Sequence, residues 1–310
     1  MSGLPALPNG AVVTVGTFDG VHLGHRAVVD EVVRRARAQG RASLLVTFEP
    51  HPLAVLRPDR APPRLTVDEE RSAALAEAPL DYQMVLRFDR ALAALSPERF
   101  VEEILLGRCQ MRELVVGHDH GFGRDRAGNL ELLRILGARH RFAVDPVRPV
   151  EDGTGTVVSS SAIRSAVGRG DFDAAERGLG RRYRVSGVVI RGDRRGQTIG
   201  VPTANVVPPA GKLLPPDGVY AVRVEWGGGV ATGMLNQGIR PTVGDGLRLL
   251  EAHLFDFDGD LYGRTIRIEW VHRLREIRRF GGLAELRTQL EADARAARAA
   301  LSAVSTPNVV

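Results

Sequence analysis

Short apolar runs rich in β-branched residues recur through the first half of the chain, at residues 11–18, 43–48, 82–88, 113–117 and 142–147. Runs of that length, separated by Gly, Pro and charged clusters, predict strands. Residues 26–39 read as an amphipathic helix, and Ser96-Pro97-Glu98-Arg99 reads as the N-cap, N1 proline and acidic first turn of another. Alternation of strands and helices predicts an α/β, Rossmann-like domain with a largely parallel sheet. Ligands of such sheets gather at the carboxyl ends of the strands, where residues 17–25, 49–52 and 118–123 would lie.

Past residue 160 the pattern shifts to short helices, and past Tyr183 to strands broken by Gly and Pro. Residues 183–190, 218–225, 230–235, 247–255 and 265–272 predict antiparallel strands of a small barrel. A closing helix over 282–301 carries Leu283, Leu286 and Leu290 at a spacing that suits packing on that barrel. Two domains are expected, 1–178 and 179–303, followed by a flexible tail over 304–310; 310 residues are long for one core.

Composition narrows the classes. Hydrophobic residues at 44% and charged residues at 25% are ordinary for a globular protein, so disorder is not favoured. No apolar run is long enough to span a bilayer. The single Cys109 excludes an intramolecular disulfide, and the absence of positive charge before Arg26 argues against a secretory signal, so a cytoplasmic location is expected. The net charge of +5 is carried almost wholly by arginine, Lys212 being the one lysine. Arginine suits bidentate phosphate contacts. Aromatics make up 5% and do not alternate with the basic clusters, so no nucleic-acid partner is expected. Self-association is compatible with the sequence.

The most informative segment is Gly16-Thr17-Phe18-Asp19-Gly20-Val21-His22-Leu23-Gly24-His25. A strand that enters a Gly-containing turn and then a helix aims unpaired backbone N–H groups at whatever binds there, and anions fit such a place. His22 and His25, at i and i+3, fall on one face of the first turn and could donate to a single phosphate.

This segment resembles the G-x-F-D-G-x-H-x-G-H signature of bacterial FAD synthetases, within the nucleotidyltransferase superfamily. Thr47-Phe48-Glu49-Pro50-His51-Pro52 resembles the T-F-x-P-H-P turn of that family. Val158-Ser159-Ser160-Ser161-Ala162-Ile163-Arg164 is similar to its I-S-S-T-x-I-R segment. Gly200-Val201-Pro202-Thr203-Ala204-Asn205, followed by Gly218-Val219-Tyr220, is similar to the G-x-P-T-A-N region of riboflavin kinases. The motifs run in the order of the bifunctional riboflavin kinase/FMN adenylyltransferases, from about Val12 to Ala300. The resemblance implies phosphorylation of riboflavin by ATP to FMN, then adenylylation of FMN by ATP to FAD, at two sites in two domains, with Mg²⁺ as cofactor and riboflavin, FMN and ATP as the partners.

Carried over residue by residue, the resemblance makes His22 and His25 the adenylyl-transfer residues and Glu251 the general base of the kinase. It puts ATP against Gly16, Phe18, Asp119, Ser160, Ser161, Arg164, Gly196 and Gly200. It puts the flavin against His51, Phe122 and Arg275, and the metal on Thr203 and Asn205. The residues alone allow blander roles: a serine N-cap with a solvated Arg164, a Thr-Asn turn after proline, a solvent-facing glutamate on an alternating strand. His118, Asp119 and His120 cannot converge on a metal without a bend, because neighbours on a strand point to opposite faces. His120, Gly121, Gln237 and Ile277 depart from the family pattern. Two rival readings follow: a relative keeping one activity or acting on a flavin analogue, and a flavin sensor without turnover.

Overall fold

The computed structural model describes residues 4–117, 128–192, 201–239 and 248–303. The chain divides into two compact units, 1–160 and 161–310. The first is built on a five-stranded parallel sheet of β1 (Ala11–Val15), β2 (Ala42–Glu49), β3 (Tyr82–Arg87), β4 (Met111–Gly117) and β5 (Ala143–Val147), in the order β3-β2-β1-β4-β5. All five residues of β1 are buried, which explains why its sequence is apolar at every position but Thr14, itself β-branched: the central strand is covered on both faces. Val12 packs with Val28, Val32 and Ala36 of helix α1 (Leu23–Ala38), while Val13 and Val15 face Phe100, Val101 and Ile104 on the other side. The chain moves one way from β1 to β3 and the other way to β4 and β5, so a crevice opens at the carboxyl ends of β1 and β4.

The far end of α1 is tied to the sheet by charge. The Arg35 guanidinium lies 2.6 Å from Glu31, from Glu113 on β4 and from Asp145 on β5, and Gln39 donates to Glu113 at 2.5 Å. Burial alone would raise the Glu113 carboxyl, but the bonds from Gln39 and Arg35 more than offset it and hold it below the usual range. Burial pushes the Cys109 thiol up to about 12, which makes it an inert packing residue.

The second unit carries a closed six-stranded barrel of antiparallel neighbours, ordered β10-β7-β6-β11-β8-β9. Its strands are β6 (Arg184–Ile190), β7 (Ala204–Val206), β8 (Gly218–Trp226), β9 (Gly229–Ile239), β10 (Arg248–Leu254) and β11 (Thr265–Arg275). The sequence pattern missed β7, a three-residue strand between Pro202 and Pro208. The C-terminal helix, Leu283–Ala303, packs Leu290, Ala294, Ala297 and Leu301 on Ala221, Met234 and Phe255. Its apolar face starts later than the leucine spacing suggests, since Leu283 is 71% exposed. Ahead of the barrel, helix Phe172–Leu179 buries Phe172 edge-on against the Tyr220 ring, 5.8 Å between centroids. Among the described residues, no helix is long and apolar enough to cross a membrane.

Candidate active sites

The first site is the turn between β1 and α1. The strand ends at Val15, three residues short of the predicted end, because Phe18 turns into the left-handed region with φ +50°. The helix starts at Leu23, three residues before the predicted start, because His22 caps it. His22 Nδ1 accepts the His25 backbone N–H at 3.3 Å, so in the neutral ring its hydrogen sits on Nε2. The His22 and His25 rings stack with centroids 3.6 Å apart, and Phe18 tilts against His25 at 5.2 Å. A Cβ at Gly24 would sit 3.2 Å from the His22 ring, so the glycine of the H-x-G-H pattern is what lets that ring fold over the helix start. One expectation is thereby refined: the Nδ1 of His22 is spent on the cap of α1.

Asp19 is buried, and its backbone carbonyl accepts the Ser160 hydroxyl at 2.9 Å. Helix α1 has no acidic residue in its first turn, so the positive end of its dipole is not offset there by a carboxylate of its own; helix Ser160–Arg169 likewise has none in its first turn. Ser161 and Arg164 continue the same helix within the second compact unit. His51 follows β2 at the carboxyl edge of the sheet, after a cis Glu49–Pro50 peptide, and its Nδ1 caps helix Pro52–Leu56 by accepting from Leu53 N–H at 3.2 Å. Gly16 donates its N–H to Val46 on β2 at 3.1 Å.

The second site lies on the outer face of the barrel. Strand register sets Glu251 directly opposite Asn205 on one side and Asn236 on the other, so the three side chains share a face across β7, β10 and β9. Asn236 Nδ2 donates to Glu251 Oε2 at 3.2 Å. Asn205 is 4% exposed; its Nδ2 donates to the Thr203 carbonyl at 3.3 Å, and its Oδ1 is buried with no hydrogen-bond partner among the described residues. A buried amide oxygen without a donor fits a hard cation, which takes oxygen ligands. Gly192 lets the Asn205 amide lie against the backbone: a Cβ there would come within 2.5 Å of Nδ2.

Arg275 forms a bidentate pair with Asp293 of the C-terminal helix, Nε at 2.9 Å and Nη2 at 2.7 Å, and its third nitrogen donates to the Glu276 carbonyl. Gln237, at a departure from the family pattern, is fully buried and donates to the Pro215 carbonyl at 2.6 Å. It therefore acts inside the barrel, while Ile277 is 48% exposed and lies over Gly238.

A family model described as FAD synthetase matches residues 4–162, and one described as riboflavin kinase matches residues 179–301. A bifunctional riboflavin kinase/FMN adenylyltransferase of Pseudomonas fluorescens is 41% identical over 291 residues, covering 94% of this chain and 93% of that one. The chain belongs to the bifunctional riboflavin kinase/FMN adenylyltransferases. Members from Escherichia coli strain K12 and Bacillus subtilis strain 168 are 39% and 36% identical, over 93% and 91% of this chain and 92% and 90% of theirs. A crystal structure described as a macrolide-efflux protein from Streptococcus pneumoniae superposes with a TM-score of 0.84 at 31% identity, covering 94% of this chain and 95% of that one. The shared fold is a parallel α/β domain followed by a closed antiparallel barrel and a C-terminal helix.

A bifunctional riboflavin kinase/FMN adenylyltransferase makes FMN from riboflavin and ATP, then FAD from FMN and ATP. Of the residues expected at its two sites, Asp119, Phe122, Gly196 and Gly200 lie outside the described residues, as do the departures His120 and Gly121 and the tail 304–310. Sequence reading passed over Asn236, Thr66 and Arg71, which reach the two sites only through strand pairing or contacts from distant segments.

Proposed function

We propose that adenylyl transfer takes place at the His22–His25 turn and riboflavin phosphorylation on the Asn205–Glu251–Asn236 row. The observation that carries the second half is the register that sets Glu251 between two asparagines. In the first site FMN phosphate attacks the α-phosphorus of ATP and pyrophosphate leaves, so no protein nucleophile is required. His22 through Nε2, His25 and the backbone N–H groups of the turn, with Gly16 and Phe18 at the nucleotide, stabilise the charge that builds on the phosphoryl oxygens. Ser160, Ser161 and Arg164 take the leaving phosphates, and His51 meets the flavin.

In the second site Glu251 accepts the proton of the ribityl hydroxyl as it attacks the γ-phosphorus, and Asn236 holds the carboxylate in line. Thr203 and Asn205 are the proposed magnesium ligands, supported by the orphaned Asn205 Oδ1. Magnesium, when bound, supplies positive charge to the triphosphate oxygens. Arg275, fixed by Asp293, presents its remaining N–H groups to the flavin. The proposal further places the enzyme in the cytoplasm with small-molecule partners only, and light scattering of the purified protein reads its self-association.

The metal assignment is tested by titrating Mg²⁺ in the FMN-forming reaction. Thr203→Ala is expected to shift the half-saturating Mg²⁺ and ATP concentrations upward, by about tenfold for a lost ligand, with activity recovered at saturation. An unchanged Mg²⁺ dependence would assign the metal to other groups.

We retain a functional boundary at 178/179, and Phe172 adds helix Phe172–Leu179 to what the barrel needs for stability. A fragment 171–303 is expected to make FMN alone and to unfold about 5–10 °C above a fragment 179–303, since burying one phenylalanine is worth about 1.5–3 kcal/mol. Circular dichroism and flavin chromatography check both. A folded fragment without kinase activity would show that residues before 171 complete the site.

A further inference from the structure

We propose that Thr66 and Arg71 form a positioning clamp that holds the adenylyl-transfer turn in a strained shape and fixes its distance from the His51 turn. The proposal rests on the reading of His22 and His25 as the adenylyl-transfer residues.

The turn is strained in two places. Phe18 has φ +50° and Val21 has φ +41°, and a β-branched residue in that region is an outlier. Each such residue costs on the order of 1–3 kcal/mol and persists only where its surroundings over-determine it. Both side chains are buried, Phe18 at 3% and Val21 at 2% exposed, in a cluster with Val29, Leu45, Ala74 and Leu75. Ala74 and Leu75 belong to helix Asp68–Ala76, the helix that also carries Arg71.

The polar bonds come from the same stretch of chain. Thr66 makes a reciprocal pair with the turn: its Oγ1 accepts from Gly20 N–H at 2.9 Å and its own N–H donates to Asp19 Oδ1 at 3.0 Å. Arg71 is 4% exposed, and its guanidinium donates to the Thr17 carbonyl at 3.2 Å and to Glu49 Oε2 at 2.7 Å. Thr17 follows β1 and Glu49 ends β2, immediately before Pro50 and His51. One buried guanidinium therefore bridges the two turns proposed to hold nucleotide and flavin.

Packing alone does not account for an arginine here. Its Nε has no partner among the described residues, and burying a guanidinium against a single carboxylate shared with Arg64 at 3.2 Å is no route to stability that an apolar side chain could not match. What the guanidinium adds is a fixed two-ended link. Misplacing reacting groups by about 1 Å costs up to about a hundredfold in rate, so a link of this kind governs turnover without touching substrate.

The test uses the full chain, whose kinase activity is an internal control. Thr66→Val is expected to lower kcat for FAD formation about tenfold and Arg71→Met about thirtyfold or more, with KM for ATP and FMN changed less than about threefold and FMN formation unchanged. Thr66→Ser, which keeps the acceptor, is expected to stay within about twofold of the parent chain. Parent-level kcat in either folded variant, or a loss carried wholly by KM, overturns the proposal. If Arg71→Met fails to fold, the Thr66→Val and Thr66→Ser pair decides. Intact FAD formation in His25→Ala would refute the underlying site reading instead, an outcome read independently of both clamp variants.

Discussion

Replacing Glu251 with glutamine is expected to lower FMN formation by roughly two to four orders of magnitude, the usual contribution of a general base. Glutamine keeps the length and can still accept the Asn236 amide hydrogen that reaches Glu251 Oε2 at 3.2 Å. It lacks the basic carboxylate that must take the ribityl proton. Riboflavin and Mg-ATP should bind with little change, and FMN supplied from outside should still become FAD. Excess Mg²⁺ and ATP should recover Thr203→Ala but not Glu251→Gln, because a missing base is not a binding defect. Chromatographic separation of the flavins, with kcat and KM measured apart, checks this. Near-parental turnover in Glu251→Gln would make the carboxylate a strand residue and give the proton to another group or to solvent.

What could be read from the sequence followed from burial on both sides of an element. Val12 to Val15 is legible as a strand because the sheet is covered on each face, so every position is buried and all but Thr14 are apolar. Strand β7 was not legible, because three residues between prolines show neither alternation nor length, although its Asn205, and Thr203 just before it, were singled out by motif. The start of α1 was misplaced because histidine is not among the usual capping residues, and only the folded geometry shows Nδ1 accepting the His25 N–H. In the C-terminal helix the early leucine spacing looked like a packing face, yet contact with the barrel begins near Leu290.

The site itself divides along the same line. Motif residues stand close together along the chain, so His22 with His25, and Thr203 with Asn205, were visible as two pairs. Their supports were not. Asn236 reaches Glu251 through strand pairing, and Thr66 and Arg71 reach the β1 turn from 46 and 54 positions away. No local pattern encodes such a contact. Gln237 illustrates the converse: as a departure from the family pattern it drew attention to flavin specificity, whereas its amide is spent on the Pro215 carbonyl inside the barrel.

Removing either imidazole of the first site is expected to abolish most FAD formation while FMN formation continues. His22→Ala and His25→Ala, tested separately, should each lower adenylylation about a hundredfold or more, the scale of one preorganised donor to a developing charge. His22→Ala is ambiguous by itself, because it also removes the cap of α1, a loss of about 0.5–2 kcal/mol of stability. His22→Asn separates the two effects: asparagine is a better N-cap than histidine but cannot extend a donor as far as Nε2. FAD formation should stay low in His22→Asn while its thermal unfolding matches or exceeds that of the parent chain. Recovery of turnover by asparagine would reduce His22 to a cap. A defect confined to KM for ATP would mean ground-state binding, and loss of both activities in a folded His25→Ala chain would show that the two reactions do not run at separate sites.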